Sequence, residues 1–510
     1  MQDAVPSSQT PVNRALVSIA VMLTTIMVVL DMTIVNVALP HMMGSLGATS
    51  EQITWVLTSY MVSDAIFVAL TGFLASRLGQ RRLILICITG FVLSSALCGM
   101  AQSLSEMVVF RILQGCLGAP IIPLSQAIMV ESFGRKERGK AMAIWGIGIM
   151  VAPVLGPTLG GYITDHANWR WVFYINLPVG IISVLLALAT VQNTVRKIVR
   201  IDWMGIALMI AGIGSLQLVL DRGNQEGWFN SSMITTLSMV SVIALVGFVL
   251  RGWNKSDNII NLSLFRDRNF ATASSMMGAF GLGLFGIIAI QPIMLERLMG
   301  YPAELTGLVM APRGIASAVG MFMCGQLINR FDPRYLIFVG ICLASFGTLI
   351  MVSYTLDISP GWVLWPGVIQ GLGMGLIFVT LSTLAYDTLP REVAAEAAGL
   401  FNLTRTVGSS IGISVIATVL TNRTQFHWQE LGGYINPFNP KLQVWLNAHG
   451  MSLSNPATAH QLANTLDRQA GMLAFIDAFW FVTISFLMML PLVLLLRRPI
   501  HHHDLADVGH

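Results

Sequence analysis

Long runs of apolar residues, eighteen or more at a time and repeated along the whole chain, constrain the fold more than any other feature. Each run can cross the ~30 Å hydrocarbon layer as an α-helix, which satisfies its backbone polar groups within its own segment. Their length excludes the ~10-residue alternating strands of a transmembrane β-barrel. Only 11% of residues are charged, against roughly 25% in a soluble domain, so a soluble fold is excluded as well. The expected fold is an all-α polytopic membrane protein. Fourteen transmembrane helices are predicted, at 15–38, 54–75, 83–101, 107–130, 140–163, 171–191, 203–220, 233–250, 270–293, 305–327, 335–354, 362–386, 397–420 and 472–496.

Charge orients these spans. With the N-terminus inside, twenty basic residues fall in inner connections, among them Arg77, Arg81, Arg82, Arg135, Lys136 and Arg138. Six fall outside: Arg170, Arg222, Arg297, Arg423, Lys441 and Arg468. The positive-inside rule therefore places both termini in the cytoplasm. That asymmetry accounts for the net charge of +4, so no nucleic-acid partner is expected. Residues 1–14 lack the order of a cleaved signal, and the first span is expected to stay. Cys87, Cys98, Cys116, Cys324 and Cys342 all lie within apolar spans, as small packing residues.

An internal repeat divides the chain. GFLASRLGQRRLIL from Gly72 aligns with GQLINRFDPRYLIF from Gly325 at a constant offset of 253, and RILQG from Arg111 aligns with GVIQG from Gly367. The matches sit at equivalent places in two sets of six spans, so the order is six, two and six. The expected parts are a cytoplasmic N-terminus (1–14), a first six-helix bundle (15–191), an inserted helix pair with its loops (192–251) and a cytoplasmic linker (252–269). A second bundle (270–496) contains an outer loop (422–471), and a cytoplasmic tail (497–510) follows.

These motifs resemble those of the major facilitator superfamily, and of its fourteen-helix drug:H⁺ antiporter branch, the EmrB/QacA type, over nearly the whole chain. GFLASRLGQRR (Gly72–Arg82) is similar to the signature between the second and third helices, with Ser76 where the pattern usually has aspartate. The resemblance implies a gating role for Gly72, Arg77, Gly79 and Arg81. FRILQGCLGAP (Phe110–Pro120) resembles the fourth-helix motif, and VAPVLGPTLGGYI (Val151–Ile163) the fifth-helix motif of antiporters. LDMTIVNVALP (Leu30–Pro40), NWRWVFYINLPVG (Asn168–Gly180) and NLTRTVGSSIG (Asn402–Gly412) resemble signatures of the branch, while TNR (Thr421–Arg423) and NPFNP (Asn436–Pro440) are similar to the outer loop of the EmrB type. The resemblance implies multidrug efflux driven by the proton motive force from a bacterial inner membrane. It also implies a periplasmic adaptor of the EmrA type and an outer-membrane channel of the TolC type.

An ionisable side chain at the bilayer centre costs from about 2.5 kcal/mol upward, so each one is paired, hydrated or functional. Asp31 lies roughly 24 Å from the inner end of the first span and Arg111 roughly 8 Å from the outer end of the fourth, which puts them at similar depth. They are the leading candidates for proton coupling. A nearby cation favours the carboxylate and burial favours the neutral acid, so approach and withdrawal of Arg111 would switch Asp31 between releasing and holding a proton. A static salt bridge between the two helices is the alternative. Asp64, near the midplane, is a second proton site, an acid that meets cationic drugs, or a silent buried carboxyl.

Arg405 shares a helix face with Asn402, Gly408, Ser409 and Gly412, a polar stripe that lets another helix approach and is expected to look inward. Arg313 and Asp477 are expected either to pair with each other or to join the same polar network, as are Asn36 and Gln114. Gly148, Ala152, Gly156 and Gly160 recur every four residues, with Pro153 and Pro157 among them. This ridge is read as a rocking seam between the bundles, or as simple close packing. The outer loop, with Trp428 and Trp445, either docks the adaptor through short amphipathic helices or packs on itself.

No GxxxxGK[ST] loop is present and the spans hold no histidine, so an ion gradient with carboxylate carriers is the expected drive, with no cofactor or metal. One charge moved through 100 mV is worth ~2.3 kcal/mol, enough for a roughly fifty-fold gradient. His501, His502 and His503 belong to the solvated tail. No cluster of acidic or histidine residues marks a membrane-embedded enzyme. An exporter of one metabolite, siderophore or fatty acid stays open beside the multidrug reading.

Overall fold

A computed structural model of the chain describes residues 14–134, 137–194, 201–252 and 260–497. The segment before Arg14, Arg135 and Lys136, residues 195–200, residues 253–259 of the linker, and the tail from Arg498 with its three histidines lie outside the described residues.

The apolar runs form the helices α1 (Arg14–Leu46), α2 (Glu51–Leu78), α3 (Gln80–Met100), α4 (Leu104–Ser132), α5 (Arg138–His166), α6 (Trp171–Thr190) and α7 (Trp203–Arg222). There follow α8 (Ser232–Gly252), α9 (Arg268–Leu298), α10 (Ala303–Leu327), α11 (Pro333–Met351), α12 (Pro360–Asp387), α13 (Ala394–Gly432) and α14 (Pro456–Val493). Thirteen are straight enough to count singly as membrane spans. α5 makes the fourteenth, with Arg138–Pro153 inclined by 41° to Thr158–Thr164. Proline there removes backbone hydrogen bonds and lets the axis turn. Short polar residues set the ends: Ser103, Asp202, Asp267, Asp332 and Asn455 each cap a helix N-terminus by accepting a backbone N–H. Gly79 turns the chain between α2 and α3 at φ +83°, which a side chain rarely adopts.

The packing is two-fold. In the first bundle α1 lies against α5 and α6, and α4 against α2 and α3; in the second α9 lies against α13 and α14, and α12 against α10 and α11. Every partner is shifted by eight helices, as the repeat requires. α7 and α8 pack on each other, and α7 also touches α2 and α13. Val242, Ile243, Val246 and Leu250 of α8 are exposed, an apolar surface suited to lipid. The bundles meet where α5 faces α10 and α2 faces α13.

One end of the molecule carries the start of α1 and the end of α14, and is called the termini end. The other is the far end. Hydrogen bonds that join the two bundles directly, among the described residues, lie toward the termini end: Ser76 to Glu396, Gln126 to Asn402 and Arg138 to Tyr386. Toward the far end the bundles are linked through α7 instead. Thr58 of α2 donates to Asp221, while Gln217, Asn224 and Trp228 bond Ser410, Thr421 and Thr418 of α13.

Residues 422–471 differ from the expected outer loop. α13 continues as helix to Gly432 and α14 begins at Pro456, with a short helix Pro440–Ala448 between them. Polar residues here end the hydropathic signal without ending the helices. Phe426, Trp428, Tyr434, Phe438, Val444 and Trp445 are exposed on this projection.

Candidate functional site

The densest buried polar cluster is built around Asp31 of α1, which is fully buried. Arg111 Nη1 of α4 donates to Asp31 Oδ2 at 2.8 Å. Gln114 Nε2, one turn further along α4, donates to Oδ1 at 3.0 Å, and Asn176 Nδ2 of α6 donates to the same oxygen at 2.7 Å. Arg111, 1% exposed, also donates from Nε to the Val56 carbonyl and from Nη1 to Gln114 Oε1, and lies over the Tyr60 ring at 4.1 Å. Asn176 is braced in turn by Ser95 Oγ. The small residue Gly115 permits this approach of α2 and α4, since a Cβ there would lie 2.7 Å from the Tyr60 carbonyl. Three side chains from two helices thus converge on the two oxygens of Asp31 and tie α1 to α4 and α6.

A second group lies between the bundles. Asn402 Nδ2 of α13 donates to Gln126 Oε1 of α4 at 2.6 Å, and Arg405 donates from Nε and Nη2 to Asn402 Oδ1. Asp64 of α2 is buried and accepts no hydrogen bond among the described residues. Arg405 and Arg111 are its electrostatic neighbours. The rest of the Arg405 face brings α9 close, as expected of a small-residue stripe: a Cβ at Gly408 would sit 2.0 Å from the Gly278 carbonyl, and at Gly412 2.3 Å from that of Leu282.

Two sequence expectations are corrected. Arg313 and Asp477 do not pair. Arg313 donates to Gln291 Oε1 of α9 at 2.7 Å, while Asp477 accepts from Arg423 Nε at 2.5 Å and contacts His427 Nε2 at 2.8 Å. The continuation of α13 beyond its apolar run supplies both of those side chains. The small-residue ridge of α5 is not the seam between bundles: Gly148, Gly156 and Gly160 face Ile26, Thr33 and Ile34 of α1, within the first bundle. Helical rotation, which spacing alone leaves open, turns the ridge inward. The seam uses other positions, with Gly139 against Ile328, Gly146 against Met321 and Phe378, and Gly307 against Thr158. Pro153 lies at the bend; the side chain of Pro157 is outside the described residues.

At the termini end, Ser76 Oγ donates to Glu396 Oε1 at 3.2 Å, and Asn261 donates to the other oxygen of the same carboxylate. A Cβ at Gly72 would lie 2.6 Å from the Glu396 Cα. Arg81 donates to the Leu188 carbonyl within the first bundle, and Arg77 is exposed. Asn36 is exposed and bonds only its own helix, at the Met32 carbonyl.

Sequence reasoning passed over Asn176, Gln126, Gln291, Gln370 and Glu396. For the four amides the available signal was a polar side chain inside an apolar run, which costs free energy unless it has a partner. Among the described residues no group of three or more His, Cys, Asp or Glu side chains is placed to hold a metal.

Comparison with known proteins places this geometry in context. Residues 21–413 match the model of the Major Facilitator Superfamily. The multidrug export protein EmrB of Escherichia coli K12 is 36% identical over 493 residues, 95% of each chain. The fatty acid resistance protein FarB of Neisseria gonorrhoeae is 35% identical, over 96% of this chain and 97% of that protein. Among solved structures, the human organic anion transporter MFSD10 superposes with a TM-score of 0.62 at 14% identity, covering 94% of this chain and 99% of that one. The proton:xylose symporter XylE superposes at 0.59 and 13% identity, with 94% of each chain covered. At those identities the superpositions show the fold alone.

Proposed function

The chain belongs to the major facilitator superfamily, and from that premise we propose a proton-coupled antiporter that exports hydrophobic or amphipathic small molecules by alternating access. It is a multi-pass membrane transporter related to multidrug exporters. The observation that carries the finer reading is Asp31, buried against Arg111, Gln114 and Asn176 in the first bundle. In the arrangement described, Arg111 engages the carboxylate directly. A shift of α4 against α1 within the first bundle, coupled to the rocking of the bundles, withdraws Arg111 and lets Asp31 take a proton from the side then open. Return of Arg111 expels the proton on the opposite side. Asp64 and Arg405 face one another across the bundle interface and form the polar part of the cargo path.

The excess of basic residues in the connections at the termini end supports a cytoplasmic location for that end, in a bacterial inner membrane. The helical projection between α13 and α14, with exposed aromatics, fits an adaptor and outer-membrane duct of the EmrA and TolC types. Similarity to FarB favours a second cargo reading, a fatty acid.

Inverted vesicles with an acidic lumen test the proposal, with cationic, neutral and acidic compounds added outside. Cargo entering the lumen is expected to release protons from it in vesicles of the unaltered protein and not with Asp31→Asn. If no compound moves protons while the protein is folded, the antiport reading fails.

A further inference from the structure

The interior of the second bundle holds a cation without an acid. Arg313 of α10 is 9% exposed and forms no ion pair among the described residues. Nη1 donates to Gln291 Oε1. Nε and Nη2 donate to nothing among the described residues, yet they are not sealed in as the unpaired buried atoms of Gln370 are. Gln370 of α12 is fully buried, and neither its Oε1 nor its Nε2 has a partner. Gly367 and Gly371 lie one turn apart on the side of α12 that faces α10, and Gln370 stands beside them, its Cβ next to Gly347 of α11. The two glycines bring α12 against Arg313: a Cβ at Gly371 would be 2.2 Å from the Arg313 carbonyl oxygen, and at Gly367 3.6 Å from the Arg313 Cβ.

The repeat gives these positions a reference. Gln370 corresponds to Gln114 in the matched RILQG and GVIQG, and Arg313 corresponds to Tyr60 at the constant offset of 253. In the first bundle Gln114 donates to Asp31 and accepts from Arg111, so cation, amide and acid complete one another. In the second bundle the cation stands on α10, the amide remains, and no acid occupies the corresponding place: the offset pairs Asp31 with Leu284. A buried guanidinium and a buried amide left open are both unfavourable, and one carboxylate satisfies both, by the forked N–H geometry of arginine and by the amide N–H.

We propose that Arg313, Gln291 and Gln370 form a binding site for the carboxylate of an amphipathic acid, which makes acidic amphiphiles part of the cargo. Gln291 aims the guanidinium, Arg313 supplies charge, and Gln370 donates from Nε2. The inference rests on the export reading for its biological meaning, but binding at equilibrium needs no gradient, so the two are tested apart.

Full-length protein in lipid nanodiscs is titrated with radiolabelled dodecanoate, with dodecyltrimethylammonium as the cationic control and sodium chloride as the inorganic anion. Losing a charge-assisted hydrogen bond weakens binding roughly tenfold or more, so Arg313→Gln is expected to raise the dodecanoate Kd by at least that factor and to leave the cation unchanged. Gln370→Leu, which keeps Arg313, is expected to weaken dodecanoate less and also spare the cation. Unchanged dodecanoate binding to folded Arg313→Gln overturns the proposal; if that variant does not fold, unchanged binding to Gln370→Leu overturns it. It is also overturned if chloride alone gives the full Arg313-dependent thermal stabilisation and dodecanoate adds nothing. Absence of proton movement in vesicles, with binding intact, would fault the export reading and leave this site standing.

Discussion

Replacing Asp31 by Asn separates a proton carrier from a structural pin, because the structure fixes what the amide can keep. The substituted side chain still offers an oxygen to Gln114 Nε2 and Asn176 Nδ2, the two donors that now reach Oδ1 of Asp31. On the other side an amide N–H replaces Oδ2 and meets Arg111 Nη1, donor against donor. The loss therefore falls on Arg111, left as a buried cation, and removing one partner of a buried pair costs about 3–5 kcal/mol. Gln114 Oε1, the Val56 carbonyl and the Tyr60 ring remain to Arg111 and put the expectation at the lower end, about 3 kcal/mol. Adding Arg111→Gln removes the orphaned charge, and since exchange of a whole buried pair is often near neutral, the double variant is expected within about 1 kcal/mol of the unaltered protein. Unfolding in detergent, followed by tryptophan fluorescence, reads the stability. Gradient-driven transport in proteoliposomes reads function. The expected pattern is stability lost in the single variant and regained in the double, with coupled transport absent from both. Proton-coupled transport in the double variant would refute the argument, since the pair would then be only a pin.

Other contacts give sharper local tests. Gly408→Ala places a Cβ 2.0 Å from the Gly278 carbonyl, a backbone atom that cannot step aside, and is expected to cost about 1–3 kcal/mol or more; Gly161→Ala, with nothing within 4 Å, is expected to cost nothing, both read as unfolding midpoints. Gly72→Ala drives a Cβ into the Glu396 backbone and parts α2 from α13, so a reporter cysteine at Ser76 is expected to react faster with maleimide in that background. Asp477→Asn opens a partly exposed ion pair with Arg423, worth under about 1 kcal/mol, so transport and unfolding midpoint are expected to change little. Complete loss of transport there would return Asp477 to the functional network.

Position along each helix was legible because the bilayer limits length and the rise per residue is constant. That is why depth alone matched Asp31 with Arg111. Rotation about the axis was not legible, and the ridge from Gly148 to Gly160 shows the consequence: regular spacing marks a close contact without saying with which neighbour. Asp477 shows a third limit. Arg423 and His427 lie on a polar stretch of α13 beyond the membrane run, where hydropathy no longer reports helix. Asn176 lies within a recognised motif, yet only the structure turns it toward Asp31 rather than toward α3 alone.

How the bundles are fastened bears on whether one proton can move them. Three hydrogen bonds join them directly among the described residues, all toward the termini end. At a net ~0.5–1.5 kcal/mol each, they amount to roughly 1.5–4.5 kcal/mol. A proton crossing 100 mV supplies ~2.3 kcal/mol before any pH difference is added. The two quantities are of one size, so the fastening at the termini end lies within the reach of such a gradient. The contacts beside those bonds are glycines on apolar side chains, Gly139 on Ile328 and Gly146 on Met321, which separate without leaving polar atoms unpaired. At the far end α7 and the turn after it hold both bundles through Asp221, Gln217 and Asn224, so the proposed rocking there must carry α7 with one bundle and break its bonds to the other. α7 makes one such bond to α2 and, with Asn224 and Trp228 just beyond it, three to α13. The weaker side is therefore α2, and the inserted pair is expected to travel with the second bundle.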